Sequence, residues 1–179
     1  MIRILVLSIV LGCILTSRSQ AEKFTLMLRT KTGNINNAGT DDPVFFALYY
    51  QELVEIPNRN PKRKPRKVLK QRRLEVKLDN EGNDRKVGAI EDYKLEFECP
   101  IDKINRVEIG LKSGDDAWFL DGMQYIIVRA GTQSLPTKIP FSGWVSAAAN
   151  DGPKAARAKQ FYWFNVKPPR FPPKLSVKK

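Results

Sequence analysis

Asn37-Ala38-Gly39-Thr40-Asp41-Asp42-Pro43-Val44 is the stretch on which the fold turns. Gly39 offers a permissive backbone, and Asp41-Asp42-Pro43 is turn chemistry. On both sides apolar residues recur at every second position. Phe24, Leu26, Leu28 and Thr30 share one face before the turn, and Val44, Phe46 and Leu48 share one after it. The same alternation returns at Leu74, Val76 and Leu78, and at Tyr93, Leu95, Phe97 and Cys99. It continues at Val107, Ile109 and Leu111, then at Tyr125, Ile127 and Arg129; Phe161–Val166 offers a last strand. Short period-two runs between Gly- and Asp/Asn-rich turns predict an all-β antiparallel sandwich or barrel. The one competing helix, Ala147–Lys159, is interrupted by Pro153. Two further turns, Asn83-Asp84 and Asp115-Asp116-Ala117, are acidic as well. Three such turns meeting at one end of a sandwich would surround a hard cation with oxygen.

The ordered set resembles the PLAT (lipoxygenase homology) domain from Phe24 to Val145. Its anchors are Thr32-Gly33, the Ala38–Asp41 turn, Asp116-Ala117-Trp118-Phe119-Leu120-Asp121 and Gly143-Trp144-Val145. Asn83-Asp84 with Gly88 and Tyr93–Phe97 is similar to the C-terminal domain of alpha-toxin-type phospholipases C. The resemblance implies two packed four-stranded antiparallel sheets and calcium as cofactor. One implied site uses Asn37, the Gly39 carbonyl, Asp116 and the Ala117 carbonyl. The other uses Thr40, Asp41, Asn83 and Asp84. The related domain carries Asp where this chain has Asn37, so the first site is one charge weaker. Related domains also insert aromatics from the loop before Asp116. Here that loop is Lys112-Ser113-Gly114-Asp115, short and polar, and Trp118 reads as a core or sandwich-edge anchor.

With 179 residues and 42% hydrophobic content, the chain suits one packed domain with extensions. Residues 1–21 read as a secretory signal: Arg3, the apolar run Ile4–Leu15, then small residues. Gly12-Cys13 leaves lipidation as the minor alternative. Residues 22–146 form the expected sandwich, with a basic insertion at 57–73, and 147–179 an extension. The tail from Lys167, rich in Pro and Lys, reads as extended and mobile. No run after the signal would span a bilayer, so the mature chain is expected to be secreted or extracytoplasmic. Cys99 reads as a small buried residue.

The chain has no histidine and only two cysteines. That removes histidine-based triads and zinc sites, and it points away from catalysis. The formal charge of +12 favours anionic partners. Lys62, Arg63, Lys64, Arg66, Lys67, Lys70, Arg72 and Arg73 concentrate it, with no acid among them. No aromatic interleaves them, so specific nucleic-acid binding is not expected. The sequence therefore predicts an exported, non-catalytic module that binds calcium and attaches peripherally to acidic lipid headgroups. The alternatives are a protein-interaction module, or a polyanion-binding surface protein using the basic run alone.

Overall fold

The computed structural model describes residues 21–60, 62–78, 85–114, 116–147 and 158–173. The signal segment 1–20, Asn83, Asp84, Asp115 and most of the possible 147–159 helix lie outside them. The strands are β1 Glu22–Thr32, β2 Val44–Ile56, β3 Arg66–Leu78, β4 Ile90–Cys99 and β5 Ile104–Leu111. They continue as β6 Ala117–Arg129, β7 Thr132–Gln133, β8 Thr137–Ile139, β9 Gly143–Ser146 and β10 Phe161–Asn165. A 3-10 turn, Ile101–Lys103, leads into β5.

Two antiparallel sheets result. The first runs β4-β1-β6, with β7, β8 and β9 all pairing the free edge of β6; the second runs β10-β5-β2-β3. The expected four-stranded pair is therefore present as sheets of six and four strands. The fourth place of the first sheet is divided because Pro136 and Pro140 flank β8, and proline cannot donate to a ladder.

The alternation read from the sequence is what the core uses. Phe24, Leu26, Leu28, Tyr93, Leu95, Phe97, Met123, Tyr125 and Ile127 face inward from the first sheet. They meet Val44, Phe46, Leu48, Leu78, Val107, Ile109 and Leu111 from the second. Trp118 is fully buried, and its indole N–H donates to Thr32 Oγ1 at 2.9 Å, which makes it a core anchor. Cys99 is buried, and burial together with the Glu22 charge pushes its thiol up to about 12.

Two segments differ from expectation. β3 begins at Arg66, so the second half of the basic insertion is a strand paired with β2 from Ile56↔Arg66 to Val44↔Leu78. The residues after β10 are extended but docked. Val166 N–H donates to Asn105 O at 2.9 Å and Leu135 N–H to Arg170 O at 2.7 Å, while Arg129 lies 4.4 Å from the Phe171 ring. Three separate anchors hold a tail whose composition alone reads as loose.

Candidate functional site

The loops 33–43 and 85–89 converge with residues 112–114 and Asp116 at one end of the sandwich. Backbone bonds stitch them together: Thr32 N–H to Ala89 O, Gly88 N–H to Gly33 O, Phe119 N–H to Ala38 O and Lys112 N–H to Pro43 O, all at 2.8–3.1 Å. They frame an open depression of about 690 Å³ lined by Asn37, Gly39, Thr40, Asp41 and Asp116, with Arg85, Lys86 and Val87 on the remaining wall. Five of the eight expected ligands are thus brought together. Ala117 sits just behind, its N–H held by Asp116 Oδ1 at 2.8 Å. Asn83 and Asp84 lie outside the described residues.

The local geometry explains the residue choices. Asn37 takes a left-handed backbone, φ 57°, which Asn tolerates better than most residues. A Cβ on Gly39 would stand 2.6 Å from the Arg85 carbonyl oxygen, so only glycine lets the two loops close. Thr40 is buried, and its Oγ1 accepts the Asp42 N–H at 3.1 Å. Asp42, which the sequence reading passed over as turn chemistry, accepts the Asp116 N–H at 2.9 Å and packs against Gly114. Its carboxylate is a brace between loops.

Arg85 is the residue that sequence reasoning missed. It is 5% exposed and lies between the loops. Its guanidinium donates long contacts of 3.4 Å to the carbonyls of Thr40, Asp42 and Leu78, and one of 3.5 Å to Tyr93 Oη. Its own N–H donates to the Glu91 carboxylate, which also accepts the Tyr93 hydroxyl at 2.6 Å. The only sequence hint is its place directly after Asn83-Asp84. The oxygen chemistry of Asn37, Asp41 and Asp116 suits a hard cation, but a fixed guanidinium already engages the neighbouring carbonyls. Among the described residues no group of three or more carboxylate, thiolate or imidazole ligands gathers closely enough to hold a metal.

The second expected surface lies at the opposite end. β5 stops pairing with β2 at Tyr50↔Ile104, while β2 and β3 continue together to Ile56↔Arg66. The hairpin therefore projects past the sandwich as a two-stranded ribbon for roughly 20 Å, at about 3.3 Å per residue. Lys62, Arg63 and Lys64 occupy its tip, and Arg66, Lys67 and Lys70 its β3 side. Lys67 faces Glu55 at 3.9 Å and Arg72 pairs with Glu52 at 2.7 Å. Arg73 is committed to the sheet: it bridges Glu75 and Glu108, the latter at 2.7 Å. Among the described residues, Lys62, Arg63, Lys64, Arg66 and Lys70 make no ion pair.

Among the described residues no helix is long and apolar enough to cross a membrane. No family model matches the sequence, and no curated protein matches it. Solved structures do. A LOX (lipoxygenase) variant aligns over 81% of this chain at 17% identity with TM-score 0.50. Alpha-toxin from Clostridium perfringens, avian strain SWCP, aligns over 84% at 19% identity with TM-score 0.50. The chain spans 17% of the lipoxygenase and 33% of the toxin. These likenesses are of fold, and the fold is that of a PLAT-like domain.

Proposed function

We propose that this PLAT-like sandwich is a non-catalytic, exported module that attaches peripherally to acidic lipid surfaces. The β2–β3 ribbon makes the electrostatic contact, and the turn cluster is a weak calcium site. One observation carries the reading: five cations on a ribbon that stands clear of the sandwich, with no carboxylate partner among the described residues. Near an anionic bilayer each such Lys or Arg contributes about 1 kcal/mol, and salt reduces it. Calcium adds to this through the oxygens of Asn37, Gly39, Thr40, Asp41, Asp116 and Ala117, completed by Asn83 and Asp84. Arg85 and Lys86 share its wall, so calcium should fill the site only at extracellular concentrations, which agrees with export.

Co-sedimentation with vesicles tests this. The chain should partition onto phosphatidylserine in phosphatidylcholine and not onto phosphatidylcholine alone. Lys62→Gln with Lys64→Gln and Lys70→Gln should lower that affinity about a hundredfold, at about 1 kcal/mol per cation. Asp41→Asn with Asp116→Asn should abolish only the increment that calcium adds over chelator. Equal partition onto acidic and neutral vesicles would overturn the reading.

A further inference from the structure

The second sheet also carries apolar side chains on the side away from the core. Along β10, Tyr162 and Phe164 pack inward, which turns Phe161 and Trp163 outward, 44% and 52% exposed. Phe161 sits over Gly110, where a Cβ would meet the phenylalanine Cβ at 2.6 Å. Trp163 pairs with Glu108, which pairs with Ala47; the next outward row is Asn165, Arg106, Tyr49 and Arg73. By the same alternation, Leu53 and its cross-strand partner Leu69 continue this face onto the ribbon, 58% and 62% exposed.

Arg106 lies in the middle of that face. Its guanidinium is 4.6 Å from the Trp163 ring centroid and 5.6 Å from that of Tyr49. Arg73, beside it, is committed to Glu75 and Glu108. Arg106 pairs with no carboxylate among the described residues. A guanidinium flanked by two rings is oriented by them, and its N–H edge remains the natural receiver of a phosphate. Aromatics that are half apolar and half polar suit the headgroup level of a bilayer.

We propose that the outer face of the β10-β5-β2-β3 sheet is the lipid-docking face. Arg106 takes a lipid phosphate between Trp163 and Tyr49, and Phe161, Leu53 and Leu69 meet the bilayer's apolar boundary. The occupant is an acidic lipid surface because this face sets the exposed apolar side chains of Phe161, Trp163, Leu53 and Leu69 around Arg106, a cation with no carboxylate partner among the described residues. Arg66 and Lys70, in register with Ile56 and Glu52, lie on the other side of the ribbon. This deepens the reading above and rests on it. It also removes a geometric conflict. The turn cluster and the ribbon tip lie at opposite ends of β2, so an end-on pose engages one of them, whereas a side-on pose brings both to the same surface.

The test uses the whole chain and phosphatidylserine/phosphatidylcholine vesicles whose acyl chains carry bromine near the headgroup. Trp163 should be quenched on binding. Trp163→Phe should still bind and lose most of the quenching, because Trp118 is fully buried and Trp144 belongs to the first sheet, packed against Phe119. Leu53→Ser with Leu69→Ser, and separately Arg106→Gln, should each lower partition at least tenfold with an unchanged thermal midpoint. Binding to acidic vesicles with unquenched emission, or with both variants partitioning as the parent, would overturn the docking face and leave peripheral attachment standing. Absence of binding to acidic vesicles would remove both.

Discussion

Arg85 makes the turn cluster stable without a metal and limits how well it binds one. Its donors reach carbonyls of Thr40, Asp42 and Leu78, three groups that would otherwise face one another with no proton between them. Removing a buried donor leaves such acceptors unmet, at about 1–3 kcal/mol. Arg85→Met should therefore lower the denaturation midpoint by about that free energy. The same substitution deletes a positive charge beside Asp41 and Asp116, and calcium should then bind more tightly, by roughly tenfold. Calorimetric titration of parent and variant reads both signs at once. A variant that is less stable and no better at binding calcium would show that the guanidinium lies too far from the oxygens to matter to a metal. The ligand-like residues were legible because acidic turns are visible as letters. Arg85 was not, because a buried arginine in a loop has no periodicity, and only the fold shows that its chain turns inward. Asp42 was misweighted for a related reason: sequence does not say which of two adjacent aspartates faces the depression.

At the scale of elements, period-two patterning identified the long strands wherever one of their faces is buried. It shortened β3, because Arg66–Arg73 carries mostly polar side chains and has no apolar face to read. Pairing with the long β2 overrides that composition, helped by ion pairs and the Leu53–Leu69 contact on the ribbon. The outer face of β2, β3 and β5 then depends on charge. Burial raises the Glu75 carboxyl, but hydrogen bonds from Lys112 and Arg73 outweigh it and hold the group below its ordinary value. A depressed carboxyl stabilises the fold above its unfolded value, and that stability is lost as pH falls through the folded one. The parent should thus lose stability as pH falls below the ordinary carboxyl value of 4.5, and Glu75→Gln should lose less on that side while being less stable at neutral pH. Urea midpoints against pH give the answer. At the end of β4, burial and the Glu22 charge push the Cys99 thiol up to about 12. It should resist alkylation in the folded chain and react only on unfolding, as mass analysis of the Cys99 peptide across a urea series would show.

At the scale of the molecule, the sequence showed which residues are basic and which are ligand-like, but not that the two groups occupy opposite ends. That separation follows from one strand. β2 starts beside the turn cluster at Val44 and ends at the ribbon at Ile56, a span of roughly 40 Å at about 3.3 Å per residue. Two ends that can engage an anionic surface, the ribbon directly and the turn cluster through calcium, can bridge two surfaces or lie along one. Bridging needs both ends to work alone and would clump vesicles as calcium rises. Lying flat engages both ends on one bilayer, with Trp163 and Arg106 between them, and leaves no free end to capture a second. The side-on pose predicts that acidic vesicles bind the chain without growing in apparent size when calcium is added, as read by dynamic light scattering. It predicts further that neutralising the ribbon and the turn cluster together costs the sum of the separate losses, because each end contributes to one partition equilibrium through distant, independent contacts. Calcium-driven clustering that disappears when either end is neutralised would instead mean that the domain stands between two membranes.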